Sequence, residues 1–194
     1  MREEKINSTL IDERGRCRIK CAKATLVDLP HVYRFFVELE NDLEARKFYR
    51  YLPCRTPEQR IRALLFLFLR LFTNILLFTN RRYVLFIVLL KKRVIGVCHI
   101  DINLKEKKGS YGIAILKGFR GMGIGYRLSI SAISHAKRLG VKKLTLTVDV
   151  DNVRGIKLYR KLGFKTTKLI KRGDYRYLTG VRVDIYTMEL HLNC

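Results

Sequence analysis

Residues 118–125 read Gly-Phe-Arg-Gly-Met-Gly-Ile-Gly, with Gly121, Gly123 and Gly125 at alternate positions behind Arg120. Glycine accepts positive φ and lets a ligand approach the backbone closely. Directly after the loop, Ile124, Leu128, Ala132, Ala136 and Leu139 recur at helical spacing. The start of that helix directs free N–H groups and the positive end of its dipole at the loop, which suits phosphate. Arg120 adds a permanent charge whose planar fork matches two phosphate oxygens. A P-loop needs Gly-Lys-Ser/Thr here, but Ile124 follows Gly123. A dinucleotide fingerprint needs its third glycine one place later, opening a parallel βαβ unit. Taken alone, the loop fits an anion site or a plain glycine turn.

Asn152 and Tyr159 form a second constellation. Seven residues apart, they fall two turns apart on one helix face. They can line a groove together, or cap a helix and pack in its core. A phenol is protonated at neutral pH and can donate a hydrogen bond. On another segment, His99 and Asp101 alternate along a strand and share a face, with Cys98 on the opposite one. Either side chain could work as a base through water, or serve packing alone. Glu38, Glu40, Asp42 and Glu44 form the chain's acidic cluster; it is a rim for a cationic amine or a solvated helix face.

The elements that must carry these groups follow from periodicity. Residues 17–26 read as a strand. Asp28 then caps a helix over 29–46, with Pro30 just inside. Thr56 and Gln59 form a capping box opening a helix to about residue 80. Residues 83–90, 94–104 and 110–116 form an antiparallel meander with turns at 91–93 and 105–109. The helix after the loop stops at Gly140. A strand over 142–148, a helix over 152–162 and strands over 164–170 and 183–190 complete the order, with a polar loop over 171–180. Asp174, Tyr175 and Tyr177 in that loop are candidates for substrate contact. The class is α+β: a mixed, mostly antiparallel sheet of six to seven strands flanked by about four helices.

The 194 residues suit one domain over 1–194, with residues 1–16 as a flexible N-terminal segment. Lysine and arginine number 40 against 17 acidic residues, for a net charge of +23. Such a chain attracts anions, and nucleic acid or the ribosome is among the partners this charge admits. The basic residues are spread along the chain, which equally fits a basic surface with no polyanion partner. The five cysteines are odd in number and lack the spacing of a disulfide scaffold or a metal finger, so a reducing cytoplasm is expected and no metal. The run at 63–78, ALLFLFLRLFTNILLF, is interrupted by Arg70 and Asn74 and is short of the roughly 20 residues a membrane span needs. It reads as a buried helix or a self-association face, for instance of a homodimer.

The loop and the segment after it together resemble the GCN5-related N-acetyltransferase superfamily. That superfamily's central motif, Gln/Arg-x-x-Gly-x-Gly/Ala, is complete in Arg120-Gly121-Met122-Gly123-Ile124-Gly125. Its next motif matches Asn152-Val153-Arg154-Gly155-Ile156-Lys157-Leu158-Tyr159 and continues to Gly163-Phe164. The close likeness covers 110–164. It implies direct attack of an amine on bound acetyl-coenzyme A, with no acyl-enzyme. It implies that Tyr159 protonates or stabilises the departing thiolate and that Asn152 hydrogen-bonds the cofactor. Backbone groups of Ile113, Ala114 and Ile115 would pair with the pantetheine arm. Arg120, Gly121, Met122, Gly123, Ile124, Gly125, Tyr126 and Arg127 would cradle the pyrophosphate, and Arg127, Arg160 or Lys161 would meet the 3′-phosphate. Many members carry a glutamate base where Ser110 stands, and ribosomal-protein acetyltransferases carry one where Thr147 stands. This chain departs from both patterns and leaves its base, like its amine acceptor, open.

Overall fold

In the computed structural model, residues 9–10, 19–48, 58, 61–62, 65, 68–69, 80–176 and 179–192 are described. The strands are β1 (Thr9–Leu10), β2 (Ile19–Lys23), β3 (Arg81–Leu90), β4 (Arg93–Asn103), β5 (Lys108–Ile115), β6 (Lys143–Asp149), β7 (Lys165–Arg176) and β8 (Val181–His191). They form one sheet in the order β1-β2-β3-β4-β5-β6-β8-β7. Every pairing is antiparallel except that of β5 with β6. The α-helices described from end to end are α1 (Leu29–Glu40), α2 (Leu43–Phe48), α3 (Ile124–Arg138) and α4 (Val153–Lys161). The mixed sheet and its flanking helices are the architecture the periodicity implied.

The parallel contact decides where a site can lie. It consists of three residue pairs, Lys108–Lys143, Gly109–Leu144 and Ser110–Thr145. Beyond Ser110 the two strands part while each stays bonded to its outer neighbour, β5 to β4 and β6 to β8. The inner backbone edge of residues 111–115 therefore faces a wedge-shaped opening rather than a strand.

Around this wedge the core is continuous. The middle of β3 and β4 reads as an apolar run (Val84–Val88 and Val94–Cys98) and is buried on both faces. On one face α3 seats Leu128, Ala132 and Ala136, all with no exposure. On the other, α1 seats Val32, Phe35 and Leu39. Two covered faces explain why these strands show no clean alternation.

Two element boundaries differ from expectation. The helix expected over 29–46 breaks at Asn41 and Asp42, because Asp42 Oδ1 accepts the amides of Glu44 and Ala45 at 3.0 and 3.2 Å and so caps a new helix. The polar loop expected over 171–180 is mostly strand, since β7 runs to Arg176. Its register shifts between Ile170 and Asp174, where Arg172 takes a φ of 48°. The Arg172 amide there donates to Asp184 Oδ1 at 2.7 Å. A bulge held by side-chain bonding keeps a polar segment in the sheet. Of that segment, Asp174 and Tyr175 are therefore strand residues, and Tyr177 lies outside the described residues.

Most of the expected helix at 56–80, including its Thr56–Gln59 capping box and much of the apolar run 63–78, lies outside the described residues, as does the segment 1–8. Among the described ones, Glu58, Ile61, Arg62, Leu65, Phe68 and Leu69 are helical. Leu65, Phe68 and Leu69 are exposed. No helix among the described residues is long and apolar enough to cross a membrane.

Candidate active site

The wedge between β5 and β6 opens into a cavity of about 800 Å³. The structure brings most of the expected residues to it: Ile113, Ala114, Ile115, Arg120, Gly121, Gly123, Gly125, Tyr126, Asn152 and Tyr159 all line it. Three do not. Met122 is exposed, Ile124 is buried in the core, and Arg127 projects to solvent. Ile124 can then contribute to a ligand here through its backbone amide in the first helical turn, whereas the Arg127 amide donates to the Gly123 carbonyl at 3.2 Å.

The glycines divide by role. Gly121 and Gly123 take φ of 83° and 74°, and a Cβ on either would meet nothing within 4 Å. Their backbone is open, and Gly123 is the N-cap of α3. This is the concave amide surface that an anion needs. Gly125 is different: a Cβ there would lie 3.5 Å from Leu158 and 3.6 Å from Ile113. It sets the spacing of α3, α4 and β5 where it lines the cavity.

Arg120 also departs from expectation. Its Nε donates to the Ile115 carbonyl at 2.9 Å, and its two terminal nitrogens donate to Glu44 at 3.0 Å and Asp42 at 2.5 Å. The side chain is 14% exposed and joins the loop to α2. The same pairs account for much of the acidic cluster. Glu38 binds Arg93, and Glu44 binds both Arg120 and Arg154. These carboxylates are committed to internal ion pairs, and Glu44 also lines the cavity.

Asn152 caps α4, its Oδ1 accepting the Gly155 amide at 2.9 Å. The capping and groove-lining readings therefore hold together. Tyr159, two turns on, sets its ring edge-on to Tyr111 at 6.0 Å and against Phe164 at 6.1 Å. Burial pushes its phenol above the ordinary range, and the nearby Cys98 adds to that. A phenol held this firmly protonated is a hydrogen-bond donor to a thiolate (free cysteine pKa is about 8.5) rather than an outright acid. Cys98 is fully buried, and burial drives its thiol upward too, so it supplies no thiolate.

Periodicity left several wall residues unassigned. Arg154 and Lys157 are two of these, and with Lys161, named above for the 3′-phosphate, they line the cavity from one face of α4. Their spacing of three and four was the available signal. Arg160, an alternative in the sequence, lies off this face and is exposed. Asp149 at the end of β6 also lines the cavity and is 3% exposed. It accepts from Arg176 Nε at 2.8 Å, and Arg176 also holds Asp151. Lys47 of α2 meets Asp151 at 2.9 Å. Burial alone would raise the Asp151 carboxyl, but hydrogen bonds from Arg176 and Lys47 hold it below its ordinary range. This network ties α2, β6 and β7 together across the sheet order, and no sequence pattern marks it.

A match to the acetyltransferase (GNAT) family spans residues 45–164. The chain belongs to that family. This GNAT chain is 31% identical over 99 residues to N-alpha-acetyltransferase 30 of Schizosaccharomyces pombe, a stretch covering 49% of the chain and 64% of that relative. It thus spans just under two thirds of that curated relative's length. An acetyltransferase of the GNAT family from Streptococcus pneumoniae superposes with a TM-score of 0.68 at 24% identity, covering 90% of this chain and 99% of that one. A ribosomal L7/L12 alpha-N-protein acetyltransferase in complex with coenzyme A superposes with a TM-score of 0.70 at 17% identity, covering 90% and 94%. These superpositions establish the fold.

Proposed function

We propose that this GNAT chain transfers an acetyl group from acetyl-coenzyme A to an amine by direct attack in a ternary complex. The observation that carries the proposal is the split between β5 and β6, walled by Tyr159 on one side and floored by the open amides of Gly121 and Gly123. The backbone edge of residues 111–115, which no strand pairs and whose Ile115 carbonyl Arg120 holds, can receive the pantetheine arm as a sheet receives a strand. The first turn of α3 takes the pyrophosphate, with Lys157 and Lys161 supplying the positive charge that Arg120 does not. Asn152 offers its amide group to the ligand while its oxygen caps α4. Tyr159 donates a hydrogen bond to the departing sulfur.

The test is turnover: purified chain with radiolabelled acetyl-coenzyme A and a panel of peptides with free N-termini, a lysine peptide and small amines. Label transfer matched by free thiol supports the reading. Tight binding of acetyl-coenzyme A with no acceptor labelled supports a second reading, a cofactor-binding module without catalysis. Ser110 and Thr147 favour that alternative, because both line the cavity where family members carry a glutamate.

A further inference from the structure

Pairing in the sheet settles which groups share a face. His99 stands opposite Gly112, and Asp101 opposite Ser110. Tyr111 and Ile113 alternate to the other face, where Tyr111 bonds Ser129 of α3 at 2.5 Å. Tyr159 packs on that face with Tyr111. His99 therefore reaches the wedge from the side of α1 and α2, opposite Tyr159, and both residues line the same cavity. Leu39, Ala45 and Phe48 line it on the His99 side as well.

The imidazole sits in a fitted place. A Cβ built on Gly112 would lie 2.3 Å from His99 Cε1, so the ring fills the space a side chain at residue 112 would take. Tyr83 of β3 stacks against it at 5.8 Å with planes 22° apart. Ring and backbone thus fix its orientation from two strands. The charged and titratable groups around it are Tyr83, Asp101 on the same face with Arg81 at 3.9 Å, and, on α2 at the same cavity, Glu44 with its arginine partners. Imidazole is the side chain that exchanges a proton near neutral pH without perturbation.

We infer that His99 is the general base of the acetyl transfer, receiving the proton of an amine that enters from the α1–α2 side; this rests on the transfer reading above. The neutral amine nitrogen attacks the thioester carbonyl carbon, and the new C–N bond forms as the carbonyl π pair moves to oxygen. The nitrogen gives its proton to His99. The C–S bond then breaks with its electron pair on sulfur, held by the Tyr159 hydroxyl, and the carbonyl reforms. The imidazolium releases its proton to water, and the thiolate takes one up. No side chain at Ser110 or Thr147 is required to carry charge.

Two variants and one spectroscopic readout test this on the full chain, with the acceptor from the peptide and amine panel that the wild type labels best. His99→Gln should lower kcat/KM at pH 7 by roughly 10²-fold while acetyl-coenzyme A affinity and melting temperature hold. It should also abolish the ascending limb of the pH–rate profile. That limb must stay put when an α-amine acceptor is exchanged for a lysine acceptor, which distinguishes it from titration of the amine. Gly112→Ala should displace the ring and lower turnover with His99 chemically intact. In the imidazole ¹⁵N spectrum of wild-type protein, acetyl-coenzyme A should shift the His99 resonances. An intact limb and undiminished turnover in His99→Gln overturn the inference while leaving acetyl transfer standing. A wild-type protein that labels no acceptor overturns both.

Discussion

One carboxylate, that of Asp42, serves two elements: its Oδ1 caps α2 through the amides of Glu44 and Ala45, and its Oδ2 receives Arg120 from the glycine loop 78 residues later. Arg120 is 14% exposed and Asp42 9%, so the pair is largely out of water. Removing one partner of such a pair leaves the other charge stranded. Arg120→Met should therefore destabilise the fold by about 3–5 kcal/mol in denaturant titration. Glu44→Gln, at an exposed partner, should cost less than about 1 kcal/mol. A cost below 1 kcal/mol for Arg120→Met would mean the clamp is not what joins loop to helix.

Tyr159→Phe keeps the ring contacts with Tyr111 and Phe164 and removes only the hydroxyl. Turnover should fall roughly 10²-fold, the scale of one lost hydrogen-bond donor to developing negative charge. Acetyl-coenzyme A affinity measured by calorimetry should stay within about twofold, since the ring still walls the cavity. Unchanged turnover would leave the thiolate without its assigned donor.

Gly123 is in the left-handed region with φ of 74°. Its Cβ would meet nothing, so the penalty of Gly123→Ala is backbone strain of about 1–2 kcal/mol, not a clash. We expect that loss of stability together with weaker acetyl-coenzyme A binding, because the open amides are pre-shaped by this conformation. Gly125→Ala, where a Cβ finds ordinary contact distances, should be much milder on both measures.

Asn152 separates two roles by substitution. Asn152→Asp keeps an oxygen for the Gly155 amide, so stability should hold, while Asn152→Ala should cost about 1 kcal/mol as a lost cap. If the amide group also serves the ligand, acetyl-coenzyme A affinity should fall in both variants. Affinity unchanged in Asn152→Asp would confine this residue to capping.

His135 on α3 provides a pH prediction away from the site. Burial lowers its imidazole to about 4, with Lys23 and Arg138 adding repulsion. The unfolded chain binds this proton near pH 6.5 and the folded one only near 4. Stability from this group is thus full above about 6.5 and is lost as pH falls toward 4. Thermal melts across that window should show a shallower acid loss in His135→Gln than in wild type.

The sequence alone determined the parts that depend on near neighbours. Helical spacing from Ile124 to Leu139, the glycine pattern before it and the two-turn separation of Asn152 and Tyr159 are local, so each could be read from its own segment. What it could not supply are relationships between segments far apart in the chain. Arg120 looked like a phosphate ligand because arginine chemistry permits it; only the arrival of α2 beside the loop turned its guanidinium inward. The polar stretch after Ile170 looked like a loop because its residues are charged; pairing with β8 and the anchoring of Arg176 on Asp149 and Asp151 made it strand. His99 and Tyr159 are 60 residues apart and on different elements. The tertiary structure placed them on opposite walls of one cavity, because β5 and β6 pair for three residues and then diverge.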